Sequence, residues 1–354
     1  MSDSLTQVPD PVPVAVIGVG RMGRHHARTY SKIAHANLLA VVDLDIERAA
    51  TVADEFDCEA VSSVDELLAK FPQVKAVSVA APTVYHSVAA RPLLERGVAC
   101  LVEKPLAPTL AEAQALAHFA DEHKAVLQVG HTERFNPAVR AVAAMDITPR
   151  FIEITRVSPM TFRSLDVGVV MDMMIHDLDI VLMLVKSPLV SVEAAGVAVI
   201  GSHEDVANAR LVFKSGCVAT FTASRLALKT DRRLRLFSEQ AYVSLDYQAR
   251  SGIVMGKSRN VKALEEVRRL LAAGADLSDM NYHEMIDIEE LTMDLPPGED
   301  DPLTAELTSF LAAAAAGRAP VVDGAAGYAA VDAAERVVKA IANHKWEGLS
   351  GSLV

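Results

Sequence analysis

The stretch "VAVIGVGRMGRHHARTY", residues 14 to 30, passes from an unbroken β-branched apolar run through three spaced glycines into charged and aromatic residues. An apolar run without alternation suits a strand buried on both faces, and the residues after it carry helical spacing. Gly18, Gly20 and Gly23 thus fall in the pattern G-x-G-x-x-G at a strand-to-helix turn. The first glycine permits a tight turn, the second lets the backbone approach a pyrophosphate, and the third lets helix and strand pack closely. The helix N-terminus stabilises phosphate charge, with Arg21 and Met22 inside the same turn. Asp43 ends the next strand-like run, 20 residues beyond Gly23, where a carboxylate accepts the ribose hydroxyls of an adenosine. Strand, turn, helix and acid in register predict a dinucleotide site. Asp43 favours NAD, because a carboxylate repels the extra phosphate of NADP; Arg21 and Arg48 keep NADP open.

The same alternation continues outward. "NLLAVVD" (37 to 43), "VKAVSVAAP" (74 to 82), "VACLVEKP" (98 to 105) and "AVLQVGH" (125 to 131) read as buried strands, separated by helical segments such as "IERAATVADEF" and Leu110 to His123. This predicts an α/β fold with a doubly wound parallel sheet. From about Arg150 the runs become longer and alternate, as in "RFIEITRVS" and "NARLVFKSGCVATFTASR", with a hairpin signal at Lys214-Ser215-Gly216. A second, α+β domain with a largely antiparallel open sheet is expected there. The division read from the sequence is a flexible leader over 1–12, a Rossmann dinucleotide-binding domain over 13–131, and a substrate-binding and oligomerisation domain over 132–354. Residues 256 to 303 read as a charged surface excursion, and two alanine-rich segments after it as closing helices.

Composition narrows the partners. The chain has 354 residues and a formal net charge of −12, which argues against nucleic acid and anionic membrane surfaces. Cys58, Cys100 and Cys217 form no metal or disulfide pattern and read as buried, reduced thiols. The N-terminal residues show no secretory signal and no later apolar run reaches spanning length, so a cytoplasmic location is expected.

Two strand ends carry further chemistry. Thr83 and His86 follow one, and Glu103 and Lys104 follow another; ligands gather at the carboxyl ends of strands in such sheets. A lysine directly after a buried strand aims an ammonium at the nicotinamide end of a bound cofactor. His86 reads equally as a cofactor contact or as a helix-face histidine packed on its neighbours. Asp172 and His176, four residues apart, share one helical face. Asp177 and Asp179 beside them raise a metal reading, set aside because they point off that face and hydride transfer needs no metal.

The glycine motif with "HHARTY", "AAPTVYH", "EKPLA", "RFNPA" (134 to 138) and "GVVMDMMIHDLDIV" (168 to 181) resembles the glucose-fructose oxidoreductase and inositol dehydrogenase family, Gfo/Idh/MocA. The resemblance runs from about Val14 to Tyr247. It implies that Lys104, Asp172 and His176 gather round the carbon that loses hydride, that Arg134 and Asn136 face cofactor or substrate, and that Pro105 is cis. His176 then takes the hydroxyl proton and Lys104 stabilises the forming alkoxide. Asp172 orients the substrate or holds the His176 tautomer. Within the family, the segment from "VANARLVF" to "VSLDY" is similar to the branch that oxidises UDP-N-acetylglucosamine at the 3-hydroxyl. For its diphosphate, Arg163 and Arg225 are the candidate cations among several arginines. The implied activity is NAD-dependent oxidation of a sugar secondary hydroxyl, with a free sugar or inositol as the alternative substrate and a non-catalytic NAD(P)-binding regulator as the alternative class. A homodimer or homotetramer is expected.

Overall fold

The computed structural model describes residues 11–161, 167–281, 286–291 and 301–346. The chain divides into two compact units, one of residues 1–135 with 295–332, the other of residues 136–294 with 333–354.

The first unit is a six-stranded parallel sheet in the order β3-β2-β1-β4-β5-β6, made of β1 (Val12–Ile17), β2 (Ala36–Val42), β3 (Glu59–Val61), β4 (Ala76–Val79), β5 (Ala99–Glu103) and β6 (Leu127–Gly130). Every residue of β4, β5 and β6 is buried, which explains their unalternating sequence. The connecting helices are α1 (Arg21–Tyr30), α2 (Ile46–Phe56), α3 (Val64–Lys70), α4 (His86–Leu94) and α5 (Leu110–Glu122). Their starts are written in the sequence: Asp45, Ser63 and Thr109 each accept a backbone N–H of the first turn of α2, α3 and α5. β3 and α3 escape the hydrophobic pattern because one is three residues long and the other two turns. β1 begins at Val12, inside the expected leader; residues 1–10 of that leader lie outside the described residues.

The unit does not end at residue 131. It runs to Phe135 and then recruits residues 295–332, which the sequence reading assigned to the second domain. The helix Pro302–Ala316 is the reason. Leu307, Phe310 and Leu311 on it are buried in one apolar cluster with Val14, Val16, Ala27 and Tyr30. Buried Glu306 accepts a 2.6 Å hydrogen bond from Thr132 Oγ1, and Val129 N donates to the Val322 carbonyl at 2.9 Å. Helical spacing shows that an apolar face exists; it does not show which core the face will cover.

The second unit begins with α6 (Pro137–Ala143) and holds an eight-stranded sheet, β14-β13-β12-β11-β7-β10-β9-β8. Its strands are β7 (Phe151–Val157), β8 (Leu189–Val197), β9 (Val206–Phe213), β10 (Val218–Ser224), β11 (Asp231–Phe237), β12 (Ala241–Asp246), β13 (Ser251–Gly256) and β14 (Glu289–Glu290). All pairings are antiparallel except that of β7 with β10. Alternate residues of β7, β9 and β10 are buried, so one sheet face is covered. The hairpin between β9 and β10 turns at Gly216, whose φ is 84°. The expected excursion over 256 to 303 contains a 16-residue helix, α8 (Lys257–Ala272); its high charge disguised it as loop. The last helix, Gly324–Asn343, starts in the first unit and ends in the second.

The three cysteines are free; Cys100 and Cys217 are buried, whereas Cys58 is half-buried. Burial, with Asp57 and Glu59 nearby, pushes the Cys58 thiol up to about 11. The truncation Phe310→Ala is expected to cost about 3–5 kcal/mol, the range for emptying a fully buried aromatic site. Urea unfolding followed by circular dichroism reads this directly, and a loss below ~1 kcal/mol would remove the return helix from the first core.

Candidate active site

At the end of β1 the chain passes through Gly18, with φ at 80°. A Cβ there would stand 2.5 Å from the Ala81 Cα, and one at Gly23 would overlap the Gly18 carbonyl oxygen. At Gly20 a Cβ would meet nothing within 4 Å, so its backbone borders open space. No side chain caps α1 and no acid stands in its first turn, in contrast to α2, α3 and α5. An anion completes such a helix start. Asp43 sits directly after β2, its Oδ2 accepting Val19 N and its Oδ1 accepting Asp45 N, both at 3.0 Å. These residues fit the pyrophosphate and adenosine ribose of a dinucleotide.

The opposite strand ends are braced from inside. Glu103, the last residue of β5, is buried and its Oε1 lies 2.9 Å from Nε2 of the fully buried His26. Burial pushes this carboxyl up, but the His26 hydrogen bond and the charges of His26, Lys104 and His86 outweigh it and hold it below the ordinary range. Its Oε2 accepts the Lys104 backbone N–H at 3.3 Å. Lys104 itself is half-buried and joined to Pro105 by a cis peptide. Thr83 is half-buried in the turn that leads into α4. His86 is buried, with Nε2 2.9 Å from the Ala81 carbonyl and Nδ1 3.1 Å from that of Pro105. Burial lowers its pKa, against the opposing pull of those carbonyls and of Glu103. Its ring nitrogens thus stand against carbonyls of two strand-end loops. The Glu103 side chain points inward to His26.

In the second unit Asp172 lies in a widened π-type turn, Val170–Met174, which runs straight into α7 (Ile175–Val185) carrying His176. Both side chains are half-buried, while Asp177 and Asp179 are buried. Asp177 takes a two-pronged ion pair from buried Arg156, 2.8 Å at each oxygen, and the Arg156 guanidinium lies 5.8 Å above the Tyr247 ring. Asp205 receives Arg225 Nε at 2.7 Å and the backbone N–H groups of Val199, Ile200 and Gly201. Those backbone bonds and the guanidinium overcome its burial and hold its carboxyl well below the usual range. Arg225 also donates to the Val167 carbonyl at 3.0 Å.

Two family models match stretches of the chain. Residues 12–131 match the family model "Oxidoreductase family, NAD-binding Rossmann fold", and residues 155–244 match the "GFO/IDH/MocA C-terminal domain". UDP-N-acetylglucosamine 3-dehydrogenase from Acidithiobacillus ferrooxidans is 37% identical over 327 residues, 92% of this chain and 96% of that one. The chain belongs to the Gfo/Idh/MocA oxidoreductase family. The solved structure of the Acidithiobacillus protein superposes with a TM-score of 0.80 at 36% identity, covering 94% of this chain and 98% of that one. An inositol 2-dehydrogenase from Rhizobium meliloti is 28% identical over 67% of this chain and 76% of that one. Levoglucosan dehydrogenase with NADH and levoglucosan shares the fold, with a TM-score of 0.78 at 19% identity, over 95% of this chain and 99% of that one.

This oxidoreductase thus carries an NAD-binding first unit whose Gly18, Gly20, Gly23 and Asp43 stand together, with Arg21 exposed and Met22 39% exposed beside them. Arg134 is half-buried in the short helical turn Thr132–Phe135. Asn136 is buried and caps α6, its Oδ1 accepting Ala138 N at 3.1 Å and its Nδ2 donating to the Tyr247 carbonyl at 3.3 Å. Arg225 is buried in its ion pair, so the structure gives it a bracing part in place of a diphosphate contact. Arg163 lies outside the described residues. Sequence reasoning missed His26 and Asp205 and left Arg156 as one of several strand arginines. The only signal for them was a charged or imidazole residue standing in an otherwise apolar register.

Removing one partner of a buried ion pair strands the other, so Asp205→Ala is expected to cost about 3–5 kcal/mol. The native carboxyl is depressed, so its contribution is complete above the ordinary Asp value near 4 and fades as pH falls from there toward the native value. Urea midpoints of both proteins between pH 7 and pH 3 should therefore converge on the acid side; a gap independent of pH would show that packing, not charge, carries the loss.

Proposed function

We propose that this chain oxidises a secondary hydroxyl of a nucleotide sugar to the ketone, the leading substrate being UDP-N-acetylglucosamine at its 3-hydroxyl. The observation that supports it best is the 37% identity to the Acidithiobacillus enzyme, which extends over 92% of this chain and so includes the whole second unit. Bound NAD supplies the hydride acceptor. His176 takes the hydroxyl proton as the carbon gives up hydride, an imidazole being suited to that exchange near neutral pH. Asp172, on the widened turn just before it, orients the hydroxyl or the imidazole. The Lys104 ammonium stabilises the oxygen as its negative charge develops. Arg134, Asn136 and Arg163 are assigned to substrate, with Arg163 the candidate cation for the diphosphate.

We further propose that the protein acts in the cytoplasm as a homodimer or homotetramer. The uncovered face of the eight-stranded sheet, with Glu153, Thr155, Thr220, Thr222, Arg233 and Arg235, is a surface two copies could share.

The test is formation of reduced nicotinamide on mixing the protein with NAD and UDP-N-acetylglucosamine, beside free N-acetylglucosamine and inositol, with a carbonyl trap to draw off ketone. Turnover is expected with the nucleotide sugar alone; turnover only with inositol would overturn the substrate. His176→Ala is expected to lower kcat by about 10²- to 10⁴-fold, the usual contribution of a general base, with a steeper loss at low pH abolished. Lys104→Met should lower kcat by a comparable factor, and a loss confined to KM for NAD would instead make Lys104 a cofactor anchor.

A further inference from the structure

The glycine turn sits at the start of α1 and Lys104 at the end of β5, yet one side chain of the first unit spans the two. His26 lies on the buried face of α1, one turn beyond Gly23, where that helix passes against the Gly18 carbonyl. Its Nε2 meets Glu103 Oε1 at 2.9 Å, and Glu103 Oε2 in turn accepts the Lys104 backbone N–H at 3.3 Å. Nδ1 of the same ring is buried and has no hydrogen-bond partner among the described residues, so the polar hold on this imidazole is through Glu103.

The carboxylate in the middle has little room to absorb a displacement. A Cβ at Gly130, the β6 residue in register with Glu103, would stand 3.0 Å from both its Cδ and its Oε2. The β6 backbone thus closes on the carboxylate from one side while His26 holds it from another. In so close-packed a site, a shift of α1 is passed to the Lys104 backbone instead of being lost in a rotamer change. A second buried polar contact of α1, Tyr30 Oη to Ser78 Oγ at 2.8 Å, ends on β4 and reaches no residue assigned to the reaction.

We propose that His26 is a positioning residue that couples the phosphate-binding start of α1 to Lys104, so that seating the adenosine and pyrophosphate of the dinucleotide orders the lysine before substrate arrives. Phosphate at the uncapped helix start steadies α1, and His26 carries that order to the strand end. This rests on the dinucleotide assignment and on the part given to Lys104, and it is independent of which sugar is bound.

The ligand 5′-ADP carries adenosine and both phosphates but no nicotinamide, so its effect on Lys104 has to travel through the protein. The readout is acetylation of Lys104 Nζ by acetic anhydride, followed by mass spectrometry on the full chain with and without 5′-ADP, whose binding is measured by calorimetry. In the native chain 5′-ADP is expected to slow this acetylation about fivefold, the low end of ordinary coupling between sites. His26→Phe keeps a ring and loses the donor, whereas Glu103→Gln keeps the shape but offers one acceptor oxygen to two N–H groups. Each should still bind 5′-ADP and lose the protection of Lys104. His26→Gln, whose amide N–H can reach the same oxygen, should retain it. Tyr30→Phe removes the other polar contact of α1 and should also retain it, which separates coupling from mere loosening of the helix. Protection that survives both His26→Phe and Glu103→Gln, protection that Tyr30→Phe abolishes as fully as they do, or a native 5′-ADP complex with unprotected Lys104 overturns the proposal. If His26→Phe does not fold, Glu103→Gln decides alone. Failure of the native chain to bind 5′-ADP removes the dinucleotide assignment and this coupling with it, whereas failure of the nucleotide-sugar reading leaves the result unaltered, because no sugar is present.

Discussion

The approach of the Gly18 backbone to Ala81 sets the geometry of the first unit. At this point Gly18 N donates to the Val42 carbonyl at 2.7 Å on one side, and Ala80 N donates to the Ile17 carbonyl at 2.8 Å on the other. The end of β1 is thereby stitched to both neighbours where the strand order reverses, the place an open parallel sheet leaves a crevice. A positive φ at Gly18 then turns the chain so that Gly23 can pass against the Gly18 carbonyl, bringing α1 onto the sheet with its first turn uncapped. The same turn directs Val19 N to Asp43. Phosphate cradle and ribose acceptor are therefore two results of one backbone constraint. No side chain larger than hydrogen satisfies it at Gly18 or Gly23.

The other half of the crevice depends on buried polar ties rather than on glycine. Glu103 ends a strand whose residues are all buried, and His26 supplies the hydrogen bond that offsets its desolvation. His86 packs between the Ala81 and Pro105 carbonyls, against the loop after β4 and the loop after β5. Lys104 stands between these two ties in sequence and space, on backbone held from both sides. A long, flexible ammonium is useful near a reacting oxygen only if its Cα is fixed, and these contacts fix it.

How much of this was legible follows from range. The strand-helix alternation, the glycine turn and Asp43 are local patterns, each decided within a few residues, and all were readable. The caps at Asp45, Ser63 and Thr109 are likewise local, each acting on its own helix. What could not be read was pairing at distance. Nothing in "LTAELTSFLAAAAAGRAP" tells that Phe310 covers Tyr30 rather than a core nearer in sequence. Arg225 illustrates the same limit: alternation put it on a strand and its charge suggested a phosphate, but the acid 20 residues earlier, Asp205, claims the guanidinium. The charged sequence of α8 hid a helix because its stability does not depend on a wide apolar face.

The turn bearing Asp172 shows why such distant pairs accumulate in the second unit. A π-type turn holds more residues than an α-helical turn, so its own hydrogen bonds define its register weakly, and such turns recur at functional sites. External contacts supply the register here. Glu204 accepts Val169 N through its carbonyl at 2.9 Å and Val170 N through Oε1 at 3.3 Å, and any Cβ at Gly168 would overlap its carboxylate. Arg225 holds the Val167 carbonyl just upstream while anchored to Asp205, and Arg156 grips Asp177 just downstream. The segment is thus gripped at both ends by charges that are themselves buried and answered, leaving Asp172 and His176 as half-buried polar groups between two fixed points. Hydrophobic residues could have filled the same volumes at comparable stability, whereas a two-pronged guanidinium fixes a single geometry.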